Sequence, residues 1–151
     1  MKQLIVFFML VSGTVSAQWI NKTSGNDFDG RFRRSYVESK SGDSIFILEE
    51  DPEDYPNPFM EIFLGYVCDD ETSIQIALTV NGQVYVYDFL GHAIRGSKSY
   101  LIGTMWDGNF GKHFKIATKM SVRVHQQHCE ITDKVFNMAG SAAAVKFVTR
   151  K

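Results

Sequence analysis

The dipeptide Asn81-Gly82 constrains the fold more than any other feature, because it stands between two runs of alternating side chains. A two-residue hairpin turn of type I′ needs a positive φ at both central residues, and Asn and Gly adopt that conformation most readily. Apolar residues alternate from Ile74 to Val80 before the turn, and aromatic and aliphatic residues return after it to Phe89. The pattern predicts an antiparallel hairpin over residues 73–89.

The short turn also predicts which residues of the hairpin face each other. Val80 should face Gln83, and the pairs farther from the turn should be Leu78 with Tyr85, Ile76 with Tyr87, and Ile74 with Phe89. Because side chains alternate between the two faces of a strand, these aliphatic–aromatic pairs share one face. We expect that face to enter the core.

Other segments of the chain also have the alternation of strands. Residues from Phe59 to Cys68 are apolar on both faces, which predicts a central strand that ends at Cys68. Further strands are predicted at Arg31–Glu38, Ser44–Leu48, Tyr100–Trp106, His113–Ile116, Met120–His125 and Ile131–Met138. Residues 140–148 predict a short helix capped by Ser141. The chain is therefore expected to be mainly β, an antiparallel sandwich or barrel with a short C-terminal helix.

The first seventeen residues have the organisation of a secretory signal peptide. Lys2 precedes an apolar run from Leu4 to Val11, and small residues follow as far as Ala17. We expect cleavage before Gln18, which leaves residues 18–151 as a single exported β domain. Neither the run nor any later segment reaches the roughly 20 apolar residues of a transmembrane helix. A periplasmic or secreted location is predicted.

Cys68 and Cys129 are the two cysteines of the chain. An even number of cysteines in an oxidising compartment favours one disulfide, and two buried free thiols are the alternative. The bridge would close a loop of about 60 residues and would contribute about 4 kcal/mol to stability in the chain-entropy model.

The charge of the chain gives no indication of nucleic-acid binding. The formal net charge is −1, and removal of the leader with Lys2 changes it to −2. A nucleic-acid interface needs a basic excess on one face. The local group Arg31, Arg33 and Arg34 is predicted to lie on a solvated strand face.

The sequence His125-Gln-Gln-His128-Cys129 contains imidazole and thiolate groups, which are the ligands that zinc prefers. We expect His125 and His128 to diverge where a strand enters a turn, and we expect Cys129 to be in the disulfide. No zinc site is therefore predicted.

Two acidic segments invite comparison with calcium sites. Residues 26–30 resemble part of a calcium loop, but Gly25 and Tyr36 stand where its end ligands would be. For the acidic loop 49–54, a solvated loop is expected, with binding of calcium or of a basic partner as the alternative. We predict no metal and no cofactor.

Aromatic residues are more numerous than one thin core requires. Tyr55, Tyr100, Trp106 and Phe110 are predicted to form an exposed interaction surface, because Tyr and Trp are enriched at recognition surfaces. The chain contains no Gly-x-Ser-x-Gly motif, and we predict no catalytic residue.

Three motifs support a family resemblance: Trp19 soon after the leader, the strand Phe63–Cys68, and Lys119–Val124 followed by Phe136–Ala143. They resemble the VasI-like exported proteins associated with type VI secretion. The resemblance implies a small exported accessory protein of a secretion system, or a phage-encoded relative of one. That family commonly carries a Cys near its C-terminal helix, whereas no Cys follows Cys129 here.

Tyr66-x-Cys68 beside a hairpin is also similar to periplasmic inhibitors of C-type lysozymes, although their Ser-Ala-Ser-Gly-type loop is absent from this chain. The leading hypothesis is therefore a non-enzymatic exported protein that binds another envelope macromolecule. The alternative is a periplasmic inhibitor or immunity protein that blocks a cell-wall hydrolase. A hydrolase is the third hypothesis, and it would require convergent polar residues in a concave pocket.

Overall fold

The computed structural model describes residues 18–26, 30–48, 59–103, 106 and 108–149. The signal peptide predicted at residues 1–17 lies outside the described residues. So do Tyr55, the acidic loop 49–54 and residues 27–29 of the calcium-like segment.

The described residues form nine strands and two helices. The strands are β1 (Ile20–Asn26), β2 (Gly30–Glu38), β3 (Ser44–Leu48), β4 (Phe59–Phe63), β5 (Glu71–Val80), β6 (Gln83–Ala93), β7 (Ser99–Ile102), β8 (Lys119–His125) and β9 (Thr132–Asn137). The helices are α1 (Asn109–Ile116) and α2 (Ser141–Thr149). The prediction of a mainly β fold with a short C-terminal helix is confirmed.

All nine strands belong to one sheet, in the order β1-β2-β3-β4-β7-β6-β5-β8-β9. Every pair of neighbours is antiparallel, as predicted.

The sheet bends until its far end meets the turn between β2 and β3. Lys134 Nζ on β9 lies 3.0 Å from Asp43 Oδ2 in that turn, although a flat sheet would hold β9 about 29 Å from β3. Burial alone would raise the pKa of Asp43. Hydrogen bonds from Ser41, Lys134 and Ser39 outweigh that effect and hold the pKa below its ordinary value.

One face of the bent sheet, which we call the inner face, packs against both helices. Its buried side chains include Val37, Ile45, Ile62, Ile76 and Val122, which come from five different strands. From the helices, Phe110 and Phe114 of α1 and Ala144, Val145 and Val148 of α2 enter the same core. The inner face holds the fold together, and the opposite, outer face is available for other roles.

The central hairpin has the predicted register. Val80 pairs with Gln83, Leu78 with Tyr85, Ile76 with Tyr87 and Ile74 with Phe89. Asn81 and Gly82 have φ values of 50° and 79°, as the predicted turn requires. The aliphatic members of these pairs are buried in the core, and the aromatic members are half-buried beside it.

The structure corrects the prediction between the hairpin and β8. The sequence predicts a strand over His113–Ile116, but the structure has the helix α1 from Asn109 to Ile116. Phe110 and Phe114 lie four residues apart, which is the helical spacing, and both are buried. Gly108 and Gly111 favour a turn in this segment, so the sequence does not indicate a helix there. Gly111 is needed because of a close contact, since a Cβ there would overlap the carbonyl oxygen of Trp106.

Other boundaries also differ from the sequence prediction. The strand predicted from Phe59 to Cys68 ends at Phe63, and β1 was not predicted. The strand predicted over Tyr100–Trp106 is the shorter β7. Ser141 does not cap α2 with its side chain. Its buried hydroxyl instead donates a 2.8 Å hydrogen bond to the carbonyl of Phe114, which ties α2 to α1.

Cys68 and Cys129 form the predicted disulfide, with their Cα atoms 6.1 Å apart. The bridge holds residues 64–70 against the segment that follows β8. The buried Gln126 supports it, because Gln126 Oε1 accepts hydrogen bonds from the Cys68 amide at 2.8 Å and the Tyr100 hydroxyl at 2.7 Å. Tyr66 and Thr132 add a hydroxyl–hydroxyl bond between the same two segments.

The contact at Gly111 can be tested by Gly111→Ala. Helix propensity alone would make this variant more stable by about 1 kcal/mol. We expect the reverse, a loss of about 1–2 kcal/mol, because the added methyl group must displace the Trp106 carbonyl. Chemical denaturation measures the difference, and Ala143→Gly on the exposed side of α2 is a control for propensity. A more stable Gly111→Ala protein would contradict the close approach.

The disulfide can be tested by alkylation without reductant followed by intact-mass analysis. We expect no labelled cysteine in the native protein, and two labelled cysteines after reduction. Reduction should also lower the free energy of unfolding by up to about 4 kcal/mol, because the open chain regains the entropy of a long loop. Two labelled thiols in unreduced protein would contradict the bridge.

Candidate recognition surface

Three of the residues predicted to form an exposed aromatic surface are buried instead. Tyr100, Trp106 and Phe110 are between 0 and 5 % exposed. Tyr100 lies opposite Ile62 on the inner face, and burial raises the pKa of its hydroxyl. Trp106 and Phe110 pack with Phe114 in edge-on and tilted ring contacts beneath α1. This part of the prediction is wrong, because the core is larger than the strands alone suggested.

A different set of aromatic residues lies on the outer face, and we call it the aromatic face. It comprises Ile20 and Lys22 of β1, Phe32, Arg34 and Tyr36 of β2, and Phe59 and Phe63 of β4. The strand register places them together, since Tyr36 is opposite Ile20 and Arg34 is opposite Lys22. Ile20 and Phe32 are each 41 % exposed. Large exposed apolar side chains that cluster in this way are typical of interaction sites.

Cationic groups accompany the aromatic rings at one edge of this face. Lys22 and Arg34 are directly opposite each other on β1 and β2, and Lys22 Nζ lies 5.2 Å from the centre of the Tyr36 ring. Glu61 on β4 and Glu38 at the end of β2 share the outer face. The positive charge is therefore concentrated at the β1–β2 edge of the aromatic face.

The sequence predicts that the arginines of β2 share one solvated face. The structure instead places Arg33 and Arg34 on opposite faces. Arg33 points inward, where its Nη1 donates a 3.1 Å hydrogen bond to the carbonyl of Phe147 near the C-terminal end of α2. Its guanidinium also lies 5.4 Å from the Phe147 ring centre. Arg33 thus fastens α2 to the sheet, whereas Arg34 belongs to the aromatic face. The side chain of Arg31 lies outside the described residues.

The histidines near Cys129 contact different partners. His128 Nδ1 bonds the carboxylate of Asp69, and this bond holds the pKa of Asp69 below its ordinary value. His125 Nε2 lies 3.3 Å from Gln75 Oε1 on β5. No group of three His, Cys, Asp or Glu side chains among the described residues is arranged to hold a metal ion.

A third histidine, His113 of α1, was not singled out by the sequence. The Tyr87 hydroxyl lies 2.6 Å from His113 Nδ1, and the Tyr85 ring contacts the His113 ring at a tilt of 36°, with centroids 3.9 Å apart. Burial raises the pKa of Tyr87. These contacts fasten α1 to β6, so the cluster is part of the helix packing.

The alternating side chains of β2 indicate the aromatic face in the sequence. Phe32, Arg34 and Tyr36 occupy every second position, and Arg33, Ser35 and Val37 occupy the others. The sequence does not say which of the two sets faces the core, because both contain large side chains. Because α2 packs against the set that contains Arg33 and Val37, that set faces the core.

Comparison of the chain with protein-family models, curated proteins and solved structures finds no match. Within the described part of the chain, no helix has the length and apolar character needed to cross a membrane. The function is therefore inferred from the aromatic face and its charges.

Proposed function

We propose that the protein is a non-enzymatic, exported β domain that binds another protein of the cell envelope through its aromatic face. The single observation that carries the proposal is the set of exposed apolar side chains at the β1–β2 edge, accompanied by Lys22 and Arg34. Aromatic residues and arginine are the side chains most enriched at protein interfaces.

The inner and outer faces differ in what they can contribute. Inner side chains such as Val37 are needed by the core, whereas Phe32 and Ile20 leave much of their apolar surface in water. Covering that surface with a partner gains free energy without repacking the domain. The cations at the same edge favour a partner with acidic side chains, since complementary charge guides association and selects the partner.

An exported setting agrees with the disulfide, which persists in oxidising compartments. The resemblance to VasI-like proteins supports a role as an accessory of a secretion system. Within that role the partner is an envelope protein, and its acidic and apolar surface would cover Phe32, Tyr36 and Lys22.

The proposal can be tested by site-specific photo-crosslinking in cells that produce the full chain. A photoreactive phenylalanine at position 32 should give a covalent adduct of one defined mass, because Phe32 would lie inside the interface. The same group at Ile116, which is also exposed but lies at the end of α1, is the matched control and should not give that adduct.

Charge reversal tests the contribution of the cations. Lys22→Glu with Arg34→Glu should reduce the yield of the adduct about tenfold, because like charges then face the acidic partner. Lys112→Glu with Lys146→Glu makes the same change of charge at exposed helix positions and should leave the yield unchanged. Equal adducts from positions 32 and 116, or none from position 32, would contradict the proposal.

A further inference from the structure

A second apolar area lies on the outer face of β6, β5, β8 and β9, and we call it the ladder face. Its most prominent side chains are Val84, Val86 and Leu90 of β6 and Val135 of β9, each more than half exposed. Between β6 and β9 the surface is lower, because Ala77 of β5 and Ser121 of β8 have small side chains. The result is a groove of about 350 Å³ that Val86 and Val135 border.

The strand register arranges the ladder face in rows that cross all four strands. One row is Val86, Ala77, Ser121 and Val135. The next row is Asp88, Gln75, Arg123 and Asp133. In the first row, the protruding Val86 therefore lies two strands from the small Ser121. In the second row, the Asp88 carboxylate lies two strands from the Arg123 guanidinium.

This arrangement is self-complementary about a two-fold axis that runs parallel to the strands above β5. Such an axis exchanges β6 and β8 between two copies and keeps each residue in its own row. Val86 of each copy then lies over Ser121 of the other and beside Val135. Asp88 of each copy lies over Arg123 of the other. Shape and charge are matched twice by the same operation, as an isologous interface requires.

We infer that the ladder face is the interface of a homodimer in which two copies of this chain pack face to face. Arg123 can serve both carboxylates, because guanidinium has five donors and Asp133 engages those on Nε at 2.7 Å and Nη2 at 2.6 Å. Asp88 accepts a 2.9 Å hydrogen bond from Gln75, which keeps the carboxylate within its row. Sheets packed face to face in this way lie about 10 Å apart.

The size of the ladder face sets the expected strength of the dimer. The two-fold axis superposes three strands of each copy, β6, β5 and β8. With strands about 4.8 Å apart and four rows about 7 Å apart, they cover roughly 400 Å² on each copy. The total of roughly 800 Å² is in the range of weak, transient interfaces. The dimer should therefore be reversible and should dissociate on dilution.

The inference can be tested by exchanging the charges of Asp88 and Arg123. Sedimentation velocity of the purified protein measures the fraction of dimer. Asp88→Arg alone places two cations together at both contacts, and Arg123→Asp alone places two carboxylates together at both. We expect each single variant to weaken dimerisation by at least about tenfold. An equimolar mixture of the two variants should dimerise again, because each contact then joins opposite charges. A protein that carries both substitutions should also dimerise.

Matched controls separate the interface from general effects of charge. Glu38→Arg and Lys22→Asp make the same changes of charge on the aromatic face and should leave the dimer unchanged. Val86→Lys leaves the Arg123–Asp133 pair intact and should also weaken the dimer, so the test does not depend on variants at position 123. Thermal melts identify any variant that does not fold.

Three outcomes would overturn the inference. The first is a wild-type protein that stays monomeric at concentrations of hundreds of micromolar, in which case the ladder face serves another partner or none. The second is a dimer that Val86→Lys and Asp88→Arg leave unchanged. The third is a mixture of the single variants that dimerises no better than each variant alone.

Discussion

The register of the β5–β6 hairpin is the constraint on which the rest of the structure depends. Asn81 and Gly82 fix it through their positive φ values, and the period of two in a strand then assigns every side chain of both strands to one face. Ile76 and Leu78 enter the core, and Val86 and Asp88 are left outside. A shift of one residue would exchange the two sets, with loss of both the core and the ladder face.

The bend of the sheet follows from the same separation of side chains into an inner and an outer face. The inner face must cover two helices, and it does so by curving until Lys134 reaches Asp43. Arg33 and Ser141 fasten α2 from two sides, through the Phe147 carbonyl and the Phe114 carbonyl. The helices cover this face, and the large exposed apolar side chains of the strands lie on the opposite face. Both recognition surfaces that we propose lie on the outer face, one at each end of the sheet.

Local signals predicted much of this fold, and long-range packing determined the rest. The hairpin and α2 could be predicted because turn chemistry and helical spacing act over short stretches. The disulfide could be predicted because the chain has two cysteines. The helix α1 could not be predicted, because Gly111 suggests a turn unless its contact with Trp106 is known. The aromatic surface was assigned to Tyr100, Trp106 and Phe110 for a similar reason. Sequence gives the number of aromatic residues, but their burial depends on tertiary packing, which places Tyr100 opposite Ile62 and packs Trp106 and Phe110 against Phe114.

The most direct test of the account is the pattern of cross-strand nuclear Overhauser effects in the purified protein. The register requires contacts from the Ala77 methyl to the Val86 methyls, from Ser121 to Val135, and from Ile76 to the Tyr87 ring. Observation of these three contacts together would establish both faces of the sheet as described. Contacts of Ala77 with the Tyr85 or Tyr87 ring in place of Val86 would show a register displaced by one residue. That result would contradict the core, the ladder face and the dimer at once.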